Sequence, residues 1–228
     1  MLYCLLICIV IGYLVGSIST SLIISKLFFK IDLREYGSKN AGGTNAGRVL
    51  GKKVGIIVIF LDAIKVGLTI LFTYLLTLAF QIPIESFDGS IILYSSIFMT
   101  TFGHCYPIYF DFKGGKAVST LFGILLFTNY QLALLFLLVY GLVLFTTKYV
   151  SLSSITASIV VAILSFINIF RTGTIIPCDY LNVYSVMLCF ISMLLIFKHR
   201  SNIVRLVKGV ELEARWIVRI HNKLKAKK

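Results

Sequence analysis

Apolar residues along this chain gather into long runs separated by short polar segments. An α-helix needs about 20 mostly apolar residues to cross the hydrocarbon core of a bilayer. Runs of that kind cover residues 3–29, 54–80, 90–110, 152–170 and 180–197. A further apolar stretch extends from 117 to 147. It is too long for one untilted helix and too short for two full ones, and Asn129-Tyr130 in its middle reads as a turn between a short helix and a second one. The pattern predicts an all-α integral membrane protein with six spans if that stretch is one helix, and seven if it turns.

Charge separates the two counts. The segment 30–53 carries six Lys/Arg, the turn 113–116 two, and the segment from 198 to the end ten. The segment 81–89 has none, and has the acids Glu85 and Asp88, while 171–179 has one charge of each sign. Basic loops stay on the cytoplasmic side of a membrane. Both base-poor segments then fall outside only if 117–147 crosses twice. Seven spans follow, with the N-terminus outside and the C-terminus cytoplasmic. Three polar, basic segments share that face, where an anionic water-soluble substrate can meet a lipidic one.

Composition agrees. Of 228 residues, 58% are hydrophobic and 14% charged, with 22 Lys+Arg against 9 Asp+Glu and a net charge of +13. The mean hydropathy is +0.96. A soluble domain carries about 25% charged residues. With no nucleic-acid module in view, the basic excess is the positive-inside bias, so no nucleic-acid partner is expected. The first run lacks a basic flank and an A-x-A site, and reads as a first span and not a removed leader. The five cysteines, Cys4, Cys8, Cys105, Cys178 and Cys189, lie in or beside apolar runs without a CxxC pair, and read as small apolar fillers. Residues 1–228 are expected to form one domain, with the tail 212–228 at the membrane surface or flexible; from 215 on, that tail is a basic amphipathic segment.

Three polar segments carry candidate chemistry. The first, residues 37–48, holds four glycines, the donors Ser38, Asn40, Thr44 and Asn45, and the cations Lys39 and Arg48. Glycine-rich backbone can present successive N–H groups to an anion, and Arg can clamp a phosphate with two parallel bonds. The alternative is a flexible loop with basic flanks. The second pairs His104 with the turn Lys113-Gly114-Gly115-Lys116, which feeds a helix N-terminus. Free N–H groups there would suit an anion, but the lysines could equally be inside-facing anchors and His104 a structural histidine. The third is the run 198–211, in which His199 and Asn202 are three apart and share a helix face. Asp62 and Lys65, also three apart, read as an intramembrane ion pair that supports structure. Three separated histidines and no CxxC argue against a metal site, and no other cofactor is implied. No G-x-S-x-G elbow, no H-E-x-x-H and no His followed four residues later by Asp is present. A transporter of a small organic anion is the rival class, but no internal repeat supports it.

With these segments quoted, the chain resembles the PlsY family, the membrane glycerol-3-phosphate acyltransferases of bacteria. The likeness rests on Gly16-Ser17-Ile18, the run 37–45 with Arg48, Leu50-Gly51-Lys52-Lys53, Asp62-Ala63-Ile64-Lys65, Phe112-Lys113-Gly114-Gly115-Lys116, His199, Asn202 and Lys208-Gly209. It implies seven spans, a cytoplasmic active site at the bacterial inner membrane, and acyl transfer from acyl phosphate to the 1-hydroxyl of glycerol 3-phosphate, giving lysophosphatidic acid. It further implies Ser38, Arg48, His199 and Asn202 as catalytic residues. Asn40, Thr44, Asn45, His104, Lys113, Gly114, Gly115 and Lys116 would bind substrate, with Glu211 structural, membrane lipid as a partner and a monomeric state. There are departures. The family often has Gly where Lys39 stands, Pro at Ala41, Ala at Gly43 and Gly at Ala117.

Overall fold

The computed structural model describes residues 1–167, 170 and 181–214. The segment 171–179 with Cys178, the first residue of the run 180–197 and the amphipathic tail from 215 lie outside the described residues. Ten α-helices occur among those described: α1 (Leu2–Gly16), α2 (Thr20–Phe29), α3 (Gly43–Val49), α4 (Lys52–Ala79), α5 (Phe87–Cys105), α6 (Val118–Thr128), α7 (Tyr130–Thr147), α8 (Val150–Leu164), α9 (Leu181–Lys198) and α10 (Arg200–Val207). Two short 3-10 turns, Leu33–Glu35 and Ile108–Phe110, lie between them. Among the described residues, three helical stretches can cross a membrane by length and composition: Leu2–Phe29 taken across its break, Lys52–Ala79 and Tyr130–Thr147. A fourth is added if Asn182–Lys198 and Arg200–Val207, bent by 58°, count as one.

Two interruptions matter for the site. The stretch 117–147 breaks at Asn129, which turns into an extended conformation and accepts a hydrogen bond from the Leu132 amide at 3.0 Å, capping α7. The first apolar run, expected as one helix, breaks at Ser17–Ser19 instead. The carbonyls of Gly16 and Ile18, freed by that break, each accept from the Lys65 ammonium at 3.2 Å. Unpaired carbonyls are costly at membrane depth, so the break requires such a partner.

Packing follows from small residues. The residues that α1 buries are Cys4, Cys8, Gly12 and Gly16, one every fourth position. A Cβ at Gly16 would lie 2.0 Å from the Thr100 carbonyl oxygen, and one at Gly12 would lie 2.4 Å from that of Ser96. Without side chains there, α1 and α5 meet backbone to backbone, which is how helices gain contact in lipid. Hydroxyls tie the next layer. Thr73 donates to Ser96 at 3.0 Å, Ser96 to the Cys8 carbonyl at 3.0 Å, and Thr100 to Thr69 at 2.9 Å. Each such interhelical bond contributes about 0.6 kcal/mol. The buried Cys4, Cys8 and Cys105 fill space as free thiols. The same device seats α3, the short helix of the glycine-rich segment, on α4: a Cβ at Gly55 would stand 2.5 Å from the Gly47 Cα.

Candidate active site

The three polar segments converge. One cavity of about 260 Å3 is lined by Ser38, Asn40, Thr44, Asn45 and Arg48 from the first segment, His104 and Lys116 from the second, and His199, Asn202 and Glu211 from the third. Its apolar lining comes from Ile59 of α4, Phe122 of α6, and Phe136, Leu137 and Tyr140 of α7, among others. Leu137 is half exposed, so this lining reaches the outer surface of the helices. Cations and apolar side chains therefore share one space.

Local structure assigns each polar group a different task. The Asn45 amide is committed to its own loop: Oδ1 accepts from the Ser38 amide at 2.8 Å, and Nδ2 donates to the carbonyls of Leu33, Tyr36 and Asn40 at 3.2, 3.0 and 3.0 Å. Asn45 thus shapes the loop that displays Ser38 and Asn40. Gly37, at φ +61, is needed there, because a Cβ would fall 2.4 Å from Asn45 Oδ1. Arg48 stands in the last turn of α3.

The Lys113–Lys116 turn differs from expectation. Its glycine N–H groups are not free: Gly114 donates to the Cys105 carbonyl at 3.3 Å and Gly115 to that of His104 at 2.9 Å. The glycines instead permit close approach, since a Cβ on Gly115 would be 2.0 Å from His104 Nε2. Gly115 is not among the cavity-lining residues, and Lys113 and Gly114 line a separate cleft. Only Lys116 of this turn enters the cavity. Lys39 and Ala117, two departures from the family pattern, stand at φ +57 and +64. A residue with a Cβ adopts that backbone at a cost of about 1 kcal/mol, which glycine avoids.

The two histidines face the cavity with opposite hydrogen-bonding character. His104 Nδ1 lies 3.0 Å from the Lys65 ammonium, which can only donate. Nδ1 therefore accepts, and Nε2 carries the proton. Lys65 pairs with Asp62 at 3.0 Å, the expected intramembrane ion pair, and Asp62 accepts from Thr20 at 2.8 Å and Ser119 at 3.0 Å. His199 sits at the bend between α9 and α10, and its Nδ1 is 2.8 Å from the Leu195 carbonyl, which can only accept. Its Nε2 is then the lone-pair nitrogen. Burial pushes its imidazole down to about 4, so it is neutral at physiological pH.

A hydrogen-bond chain fixes the third segment. Lys116 donates to Asn202 Oδ1, and Asn202 Nδ2 donates to Glu211 Oε1 at 2.6 Å. Ser151 donates to the same oxygen at 2.9 Å, and Arg205 donates to Oε2 at 2.7 Å. Burial raises the Glu211 carboxyl, but the bonds from Asn202, Arg205 and Ser151 outweigh it and hold it below the ordinary carboxylate range. Burial, reinforced by Arg205 and opposed by Glu211, pushes Lys116 down to about 8. The cation is present below that pH and lost above it. If Lys116 neutralises a bound phosphate, kcat/KM for an anionic substrate should fall as pH rises through about 8. Lys116→Arg should remove that fall in a pH–rate profile, because guanidinium stays charged; an unchanged fall would assign it elsewhere. Sequence reasoning missed Ser119, Ser151 and Ser154, which also line the cavity. The cluster Ser151, Ser153, Ser154 at the start of an apolar run was the available signal.

Fold and site together define an all-helical membrane protein with a cavity lined by both cations and apolar side chains. A family model described as glycerol-3-phosphate acyltransferase matches residues 6–209. The glycerol-3-phosphate acyltransferase of Staphylococcus haemolyticus is 42% identical over 210 residues, which are 91% of this chain and 96% of that protein. That of Staphylococcus saprophyticus is 38% identical over 213 residues, 93% and 99% of the two chains. The crystal structure of PlsY (YgiH), an integral membrane glycerol 3-phosphate acyltransferase, in its glycerol 3-phosphate form is similar with a TM-score of 0.77 at 34% identity, covering 92% of this chain and 94% of that one. The lysophosphatidic acid form gives 0.74 at 33% identity with the same coverage. The chain belongs to the glycerol-3-phosphate acyltransferase family.

Proposed function

We propose that this protein transfers a fatty acyl group from acyl phosphate to the 1-hydroxyl of glycerol 3-phosphate, releasing lysophosphatidic acid and phosphate, as a first step of bacterial phospholipid synthesis. The carrying observation is the meeting of Arg48, Lys116 and His199 in one cavity that also has an apolar lining. Solved relatives with glycerol 3-phosphate and with lysophosphatidic acid support the same substrate and product. In this reading the chain is one domain and a monomer without a cofactor. It crosses the inner membrane seven times, with the N-terminus outside and the cavity facing the cytoplasm.

An acyl phosphate is a mixed anhydride with a good leaving group, so catalysis is mainly positioning and charge stabilisation. Arg48 and Lys116 neutralise phosphate, while Ser38, Asn40 and Thr44 donate to its oxygens. The acyl chain lies along Phe122, Phe136 and Leu137. The 1-hydroxyl oxygen attacks the acyl carbon, the bond from that carbon to the phosphate oxygen breaks, and phosphate leaves with the electron pair. His104, through Nε2–H, donates to the substrate anion or to the developing oxyanion. Asn202 holds Lys116 in register, and Glu211 holds Asn202. The hydroxyl proton has two candidate acceptors, a phosphate oxygen of the donor and the lone pair of His199 Nε2. A pH–rate profile of His199→Gln separates them: a loss of only a few fold with an unchanged profile excludes His199 as the base.

One assay tests the reading. Purified protein is given labelled glycerol 3-phosphate with either palmitoyl phosphate or palmitoyl-coenzyme A. New lipid is expected with the acyl phosphate alone. Uptake of label into liposomes with no new lipid would make the protein a transporter and overturn the proposal.

A further inference from the structure

A second cleft, of about 790 Å3, is lined by other residues of the same three segments. The segments divide their side chains between the two. Ser38, Asn40 and Gly42 line the first space, and the intervening Lys39 and Ala41 line the second. Lys116 lines the first and Lys113 the second; His199 and Asn202 line the first, Lys198 and Arg200 the second. We propose that this second cleft seats the phosphate headgroup of an anionic phospholipid from the surrounding leaflet.

The charges in the cleft favour an anion. Five cations, Arg34, Lys39, Lys113, Lys198 and Arg200, line it against three carboxylates, Asp32, Glu35 and Asp111; Asp32 pairs with Arg34 at 2.8 Å and with Lys26 at 3.3 Å, and Asp111 with Arg34 at 3.4 Å. Lys39 and Lys113 make no side-chain hydrogen bond or ion pair with the described residues and remain available. Arg200 adds a third cation, lying 4.7 Å over the Phe197 ring, and Lys198 a fourth, 4.3 Å over the Tyr106 ring and already donating to the Cys105 carbonyl at 2.9 Å. Lys39 stands at φ +57, so a backbone position suited to glycine here carries a cation into this cleft. The rim favours a lipid over free phosphate. Phe112 is 54% exposed and Phe197 is 55% exposed, which puts bare aromatic surface beside the cations. Aromatic rings flanked by Lys and Arg suit the boundary between headgroups and acyl chains.

The test is native mass spectrometry of the purified full chain in detergent, offered equal amounts of phosphatidylglycerol and phosphatidylcholine. Wild-type protein should retain phosphatidylglycerol several-fold over phosphatidylcholine. Lys39→Gly and Arg200→Gln should each reduce that preference, and the double variant should bring it to parity. Thermal unfolding guards against misfolding, since Lys39→Gly relieves a strained backbone and should melt no lower than wild type. Millimolar inorganic phosphate should not displace the lipid. Parity in the wild type, or full preference in the double variant, would overturn the proposal. Displacement by inorganic phosphate would overturn the lipid assignment and give the cleft to free phosphate.

Discussion

Arg48→Gln should lower kcat/KM for glycerol 3-phosphate by about 1,000-fold, the largest effect expected of any single substitution in the cavity. Losing a charge-assisted, bidentate contact to a phosphate in a partly desolvated site costs several kcal/mol, and about 4 kcal/mol corresponds to that factor. The guanidinium projects from α3, which Gly43, Gly47 and Gly55 press against α4, so it is displayed from a fixed support. Glutamine keeps length and polarity while removing the charge. Lysine should recover only a small part of the activity, because a point charge cannot reproduce the two parallel bonds. Initial rates against glycerol 3-phosphate concentration at saturating palmitoyl phosphate measure this. A change within threefold would remove Arg48 from the site.

The second large effect is expected at Glu211, a residue placed in no substrate contact. Its carboxylate accepts from Ser151, Asn202 and Arg205, and Asn202 in turn accepts from Lys116. Glu211→Ala would leave the buried Asn202 amide and the partly exposed Arg205 without their acceptor. Stability should fall by about 2 kcal/mol, the pair being discounted for the exposure of Arg205. Activity should fall by about 100-fold as Lys116 loses its register. Glu211→Gln, which keeps one acceptor oxygen, should recover part of both. Thermal unfolding in detergent together with kcat and KM checks this; a stable, fully active Glu211→Ala protein would refute it. The carboxyl is held below its ordinary range in the folded chain, so its contribution is present above the usual carboxylate pKa. It is lost as pH falls through the lowered value, and strong acid should mimic the substitution.

Much of this was legible in the sequence because it depends on composition over many residues. The apolar runs fall on helices, and the turn at Asn129 falls where the long stretch required one. The Asp62–Lys65 pair follows from a spacing of three on a helix. What escaped depends on single atoms. Ser17-Ile18-Ser19 in an apolar run carries no helix-stop signal; the break there is stabilised by Lys65, which reaches carbonyls 49 and 47 positions away in the chain. Asn45 and Asn40 are the same residue type in one loop, yet Asn45 uses its amide to shape the backbone. Composition cannot separate a ligand from a brace. Gly114 and Gly115 suggested free N–H groups for an anion at a helix N-terminus, but those groups pair with the end of α5, and the missing side chains make room for the backbone of His104 and for its ring. Lys113 and Lys116 sit three residues apart and enter different spaces.

The way the loop from Ser38 divides its side chains bears on how this protein can change. Neighbouring positions look into separate compartments, so a replacement at Lys39 can be absorbed without disturbing Ser38 or Asn40, whereas Ala41 is buried in one cluster with Leu22, Leu33 and Val58 and has no room for a larger side chain. Inserting or deleting one residue between 38 and 42 is different in kind. It would swap the two sets at a stroke, turning Lys39 toward the space that now holds Ser38, and would pull Asn45 out of the loop it braces. Position 39 can drift in identity, but the stretch cannot change in length.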